Sequence, residues 1–498
     1  MRLKSVTVAA MIFVLIFPTA LFAANPKAGA KCTKLGSSQL SAGKKFTCIK
    51  SGRKLVWNKG IVIATTKPTQ NGTTTVITPP DEVLPTPVVP SADSANANVQ
   101  YEQSAQITNS EECKIQDARI IRTQPNNSGF PITPDLIPAT GISNYVFIPI
   151  DFSDAVGTDT DLDVFENQIK SFQNWFQFSS QEKHVVKVQF KRKWFRAPKV
   201  SSEYVAGKNL PNSNNTFAQI WDYYAQEFLD AASSEFDFTN VHAIIFHLPR
   251  NQKSGISHEI LGRGVRLSTP QGVRNLLYWG SGNYHYQLQE KQGNSTPDYW
   301  AALWVHEVLH SMGLSLHAPG NGFYSGVGQN QGGLSWVLDA WEAFKLGWFN
   351  ENQIFCAPIE KISKSTVLMQ PIESNGTNYK TVIVPLNKTK ALIIESRRGI
   401  GYSQGWPKGT GGILVYELDT TLDNDRSKEC CGDSGNDRTY TKWSYYMPSD
   451  QRGLINSQNV TTAVYDYLFK PNETLTVNGL KITYLKMGDT DVVQLARI

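Results

Sequence analysis

Hydrophobic positions along the chain fall into stretches of different period, and each period predicts a different element. Tyr145 to Ile150 is an apolar run closed by Asp151-Phe152-Ser153-Asp154, the mark of a buried strand ending in a turn. Leu162 to Phe178 carries Phe165, Ile169, Phe172, Trp175 and Phe176 at helical spacing, and Phe217 to Ala232 is helical in the same way. Val185 to Trp194 alternates as a strand, and Val241 to Leu248 is a second apolar strand. Strands alternating with helices predict an α/β layer over residues 100–350. Trp336 to Leu346 is a further helical stretch. Beyond it, short apolar segments at Lys380–Pro385, Ala391–Glu395, Gly412–Leu418 and Leu475–Leu485 are parted by Gly, Asn and Asp turns, so residues 351–498 are expected to be mostly β.

The N-terminal hundred residues follow other rules. Arg2 and Lys4 precede an apolar run from Val6 to Phe17, and Ala20, Ala23 and Ala24 follow, which reads as an export signal over residues 1–23. That run is too short to span a membrane, and no later stretch approaches the roughly 20 apolar residues required. The chain is therefore expected to be secreted, with no stable membrane span after cleavage. Residues 26–60 look like a small module with a strand at Lys54–Trp57, and residues 61–98, rich in Thr, Pro, Val and Ser, look like an extended linker. The expected whole is α+β: a zincin-like α/β domain and a mostly β region, preceded by a disulfide-stapled module and a linker.

Composition sharpens this picture. With 40% hydrophobic and 18% charged residues the chain can bury sizeable cores, which excludes disorder along its length. Residues 25–60 hold nine Lys/Arg and no acid; removing those nine, with Arg2 and Lys4, from the net +5 leaves −6 for residues 61–498. A mildly acidic body excludes nucleic acid as its partner. The basic module could associate with an anionic cell envelope, or simply be a soluble positive surface. Six cysteines, none in a CxxC pair, suit disulfides in an exported chain. Cys32 with Cys48 is the favoured pair; Cys113, Cys356, Cys430 and Cys431 leave several pairings open.

The chemistry concentrates at His306-Glu307-Val308-Leu309-His310, followed by Gly313 and His317. Thr296-Pro297-Asp298 has the form of a helix start and Gly313 that of a helix stop. On such a helix His306 and His310 share one face, about 6 Å apart along the axis, so both imidazoles can bind one zinc ion. Glu307 lies about 100° round, placed to take a proton from water and return it to a leaving amine. Val305, Leu309 and Met312 form an apolar face that anchors the helix. The third ligand is expected to be His317, offered just past the glycine turn, with Asp339 or Glu342 from the later helical stretch as alternatives.

These residues resemble the immune inhibitor A-like secreted bacterial metalloproteases, relatives of the metzincins, whose pattern is His-Glu-x-x-His-x-x-Gly-x-x-His/Asp. His306, Glu307, His310 and Gly313 match it position by position; position 316 is Leu, and His317 comes one residue late. No methionine falls between Met312 and Met369, where the family places one under the metal. Asp151–Asp154, Leu338–Trp348, Ile393–Arg398 and Gly412–Asp419 are similar to other segments of that family, so the resemblance extends loosely over residues 100–498. It implies a zinc endopeptidase acting on protein or peptide substrates outside the cell, with room for structural calcium.

Plainer roles stand beside these. Asp151 and Asp154 suit a strand-end turn better than calcium ligation. Glu395 followed by Arg397 and Arg398 suits a structural ion pair. Tyr324, in a glycine-flanked loop, is an oxyanion-donor candidate, although loop aromatics usually pack. The competing function is a non-catalytic envelope-binding or adhesion protein carrying a zincin-like domain; a cell-wall peptide substrate is a further variant.

Overall fold

A computed structural model describes residues 27, 29–31, 38–41, 44–51, 54–59, 61–62, 100–118, 128–134, 136–204, 217–253, 265–281, 299–314, 337–403, 409–421, 443–446, 452–453 and 467–498. The expected export signal, Cys32, most of the linker, His317, Tyr324, Cys430 and Cys431 lie outside the described residues. The fold is α+β, and the chain divides into two compact units, Met1–Thr74 and Thr75–Ile498.

The first unit is an antiparallel sheet of β1 (Ser38–Ser41), β2 (Lys44–Ser51), β3 (Lys54–Trp57) and β4 (Ile61–Val62). β2 is central, pairing with the other three. Phe46 and Cys48 are buried on it, and Cys48 is disulfide-bonded. So small a sheet buries little apolar surface, and a covalent staple compensates.

In the second unit the first sheet has the order β6-β5-β8-β10-β9: β5 (Gly141–Asp151), β6 (His184–Phe190), β8 (Ala243–His247), β9 (Val265–Thr269) and β10 (Gly272–Ser281). β7 (Phe195–Arg196) extends one edge of β5. β5, β6, β8 and β10 run parallel, and β9 is an antiparallel edge. Alternation along β5 sends Tyr145 and Phe147 to one core and Val146, Ile148 and Ile150 to another. α1 (Asp159–Ser179) and α3 (Tyr299–Ser311) cover the first face, and α2 (Phe217–Asp230) covers the second. Thr158 caps α1, its hydroxyl accepting the Asp161 N–H at 3.1 Å, with Asp159 and Asp161 at the positive end of the helix.

The second sheet has the order β11-β13-β14-β15-β16-β17: Ile354–Cys356, Thr381–Pro385, Lys390–Arg398, Gly411–Asp419, Trp443–Tyr446 and Arg452–Gly453. It is also buried on both faces. Ile393, Leu414 and Tyr416 join the core that holds α1, α3 and α4 (Ala340–Lys345), whereas Leu392, Ile394, Ile413 and Val415 face a third sheet. That sheet, β12-β20-β19-β18 (Lys364–Met369, Asp491–Arg497, Leu480–Lys486, Thr474–Val477), is antiparallel throughout. α3 thus packs on the first sheet, the Trp304 ring 5.0 Å from Phe147, and shares a single core with the second sheet.

Two described segments, 100–118 and 128–134, together called the strap, bind these layers together. The Ser104 N–H donates to the Thr366 carbonyl at 2.9 Å, and Cys113 forms a disulfide with Cys356 across 243 residues of sequence. The Gln116 N–H reaches the Lys388 carbonyl at 2.9 Å. In the second segment the Phe130 ring lies edge-on to Trp341 at 5.6 Å, and Ile132 and Thr133 lie at the end of α3.

Candidate metal centre

α3 is apolar nearly all round: Trp300, Ala301, Ala302, Leu303, Trp304, Val305, Val308 and Leu309 are all buried. A helix so enclosed must have its end groups satisfied by protein. At its start the Ala301 N–H donates to Gln168 Oε1 of α1 at 2.9 Å. At its end Gly313, at φ +97°, takes the left-handed conformation. There the Leu314 N–H donates to the Leu309 carbonyl at 3.1 Å and the Gly313 N–H to the His310 carbonyl at 2.9 Å, a closing motif that satisfies two terminal carbonyls. The helix observed, Tyr299–Ser311, ends where Gly313 predicts; the expected start at Thr296 lies outside the described residues.

Within this helix the structure brings three of the sequence-predicted site residues together. One metal-capable atom from each of His306, Glu307 and His310 lies within 4.8 Å of the others. The two imidazole Nε2 atoms stand 3.2 Å apart with the rings nearly perpendicular at 89°. Two nitrogens each 2.0–2.1 Å from a tetrahedral ion would stand about 3.3 Å apart, so the observed spacing suits a shared zinc-sized cation. Glu307 Oε1 is 3.9 Å from His306 Nε2. Glu307 Oε2 is buried and has no hydrogen-bond partner among the described residues. Burial pushes the Glu307 carboxyl up to about 8. The donor set of two imidazoles, with a carboxylate beside them, is the chemistry a divalent transition metal of zinc type prefers.

Asp339, one of the alternative third ligands, has other work. Asp339 is fully buried as the N-cap of α4, where its Oδ1 accepts the Glu342 N–H at 2.9 Å and the Tyr416 hydroxyl at 3.3 Å. Neither Asp339 nor the buried Glu342 belongs to the group around His306 and His310 among the described residues. Burial first, then the Glu342 and Glu395 carboxylates, pushes the Asp339 pKa well up.

No protein-family model matches the chain, and no curated protein does. Among solved structures, wild-type OgpA from Akkermansia muciniphila is similar in one crystal form over 74% of this chain and 97% of its own, at 10% identity and a TM-score of 0.26. In a second form it covers 65% of this chain and 93% of its own, at 11% identity and a TM-score of 0.25. Likeness so slight carries no argument about function.

The remaining candidate residues serve the frame. Asp151 is clasped by Arg196 through two hydrogen bonds of 2.7 and 2.9 Å, and its Oδ2 also accepts the Gly157 N–H at 3.1 Å. Asp154 accepts the Ser201 N–H at 2.6 Å and its hydroxyl at 2.9 Å. Both carboxylates are thus engaged by donors at a strand-end turn. Glu395 accepts Arg397 Nε at 2.6 Å and the Ala340 N–H at 2.6 Å, tying β14 to the first turn of α4. Arg397 also reaches Glu373 Oε1 at 3.3 Å and the Leu338 carbonyl at 3.2 Å. Sequence reasoning missed Glu373, which also accepts the Arg398 N–H at 3.0 Å, Tyr416, whose hydroxyl lies 3.3 Å from Glu395, and Asp491, which pairs with the Arg398 guanidinium. Their signal was weak: single polar residues in or beside apolar strands.

Proposed function

We propose that this chain is a secreted zinc-dependent endopeptidase whose Thr75–Ile498 unit carries a zincin-like catalytic domain. The observation that carries the proposal is the pairing of His306 and His310 Nε2 at 3.2 Å, with Glu307 beside them on a helix held at both ends. His306 and His310 would hold the ion, and His317 remains the proposed third ligand. A zinc ion bound there supplies Lewis acidity, polarising a peptide carbonyl and making water a better acid.

Glu307 takes a proton from the attacking water and delivers it to the leaving amine nitrogen. Its buried Oε2 is the suited atom, because no other described group competes for it. In low dielectric the carboxylate is a stronger base than in water, and a cation alongside would keep it ionised at neutral pH. The enclosure of α3 by Trp300, Trp304 and Val305 fixes the ligands against rotation, so ligand positions need little rearrangement when charge develops.

The test compares the parent with Glu307→Ala and His306→Ala, reading zinc content and hydrolysis of an unfolded protein. One zinc in the parent and in Glu307→Ala, with cleavage by the parent alone, is the expected result. Zinc-free parent protein after dialysis against zinc would overturn the proposal.

A further inference from the structure

Outside the candidate centre, the Met1–Thr74 unit stands apart in its charge. Its residues include no Asp or Glu at all; the first acid in the chain is Asp81. Lys27, Lys31, Lys50, Lys54 and Lys59 are exposed, and none has a carboxylate partner among the described residues. Surface lysines are ordinarily interspersed with acids that neutralise their field. Here nothing within the unit does so, and the field of each lysine adds to the next.

The sheet register shows how the cations are displayed. Lys54 pairs with Ser51, and Lys31 pairs across β3 with Val56, so Lys31 and Lys54 share one face. Lys50 pairs with Leu55 on the face that carries Cys48 and Trp57. Both faces are therefore cationic, a property suited to a flexible polymer that can wrap rather than to a flat rigid surface.

We propose that this unit binds a linear polyanion of repeating phosphate groups, of the kind a cell envelope displays, and tethers the chain to it. Eight of the nine cations in residues 25–60 are lysine, a compact charge that attracts phosphate without the planar fork used to read base edges. Phe46 is buried and Trp57 half-buried, leaving no fully exposed aromatic ring among the described residues of the unit on which bases could stack. Among the described residues, none of the large exposed hydrophobics belongs to this unit, so this surface would gain little from insertion into lipid. This inference does not rest on the zinc reading and can be tested equally on the Glu307→Ala chain.

The experiment titrates the full chain with labelled long-chain inorganic polyphosphate at 50 and 200 mM salt. Affinity should fall about tenfold or more over that range, because counterions are released on binding. The triple variant Lys50→Gln, Lys54→Gln, Lys59→Gln should bind at least about tenfold more weakly and with a flatter salt dependence. A control triple at exposed lysines of the other unit, Lys364→Gln, Lys388→Gln and Lys481→Gln, removes the same charge and should leave affinity unchanged. Circular dichroism shows that each variant keeps its fold; if the first triple unfolds, Lys31→Gln with Lys54→Gln replaces it. Absence of binding, equal weakening by the two triples, or equal or tighter binding to a DNA duplex or to phosphatidylglycerol vesicles at matched phosphate overturns the proposal.

Discussion

Gly313 meets the strap at Thr133: a Cβ on Gly313 would lie 2.7 Å from the Thr133 carbonyl oxygen and 3.0 Å from Ile132 Cγ1. The backbone there is also left-handed, at φ +97°. The glycine that ends the candidate metal helix is thus required twice, by its dihedral and by the chain packed over it. Gly313→Ala should lose about 2–4 kcal/mol of stability, combining left-handed strain with overpacking against backbone. Urea unfolding checks this. An effect below about 1 kcal/mol would mean that the strap moves away freely.

Arg397 carries a different load, since it neutralises Glu395 and Glu373 where all three side chains are essentially solvent-free. Arg397→Met should cost about 3–5 kcal/mol, because two buried carboxylates lose their cation. The exposed pair Arg192–Asp163, at 2.6 Å, is the comparison; Arg192→Met should cost no more than about 1 kcal/mol. Equal effects in thermal unfolding would refute the ranking.

Much of this frame was legible in the residues, for reasons that also explain what was not. Phe165, Ile169, Phe172, Trp175 and Phe176 announce α1 because one face of that helix meets one sheet. The strand expected over Val185–Trp194 instead breaks after Phe190, where Lys191-Arg192-Lys193 turns the chain before β7. The helix expected over Trp336–Leu346 shortens to Ala340–Lys345, since Asp339 accepts the Glu342 N–H and so caps it late. Leu475–Leu485 proves to be two strands around Asn478-Gly479, a hairpin signal that the apolar run concealed. At the site, four-residue spacing sufficed to place His306 beside His310. It could not show that Gln168 holds the start of the helix, a contact across 133 residues of sequence.

The Cys113–Cys356 disulfide joins the strap to β11 and closes a loop spanning 243 residues of sequence. Cys113→Ser with Cys356→Ser should lower stability by about 2–5 kcal/mol, chiefly by loosening the unfolded chain. Both cysteines are fully buried, so the pair should also resist mild reductant while the protein stays folded. Thiol labelling in native buffer with and without reductant tests that second expectation, and rapid labelling of both residues would contradict it.

Acid should unfold the chain partly through two buried histidines. Burial pushes the His247 pKa down to about 3, and burial, aided by His242, takes His184 to about 4. In the unfolded chain both return to about 6.5. As pH falls from about 6.5 toward those folded values, the unfolded state takes up protons that the folded state refuses. The stability they contribute is therefore complete above about pH 6.5 and lost on the way down. His247 stacks on Phe165 at 4.2 Å with an interplanar angle of 9°, so His247→Phe keeps an aromatic ring in place while removing the proton site. Glu373, whose pKa burial raises, opposes the trend by binding protons on folding. Its effect cancels in the difference between parent and variant. The stability of His247→Phe relative to the parent should therefore rise steadily from pH 6.5 to pH 4 and stay level above pH 7, as read from urea titrations at each pH. A constant difference across that range would show that His247 takes up no proton on unfolding.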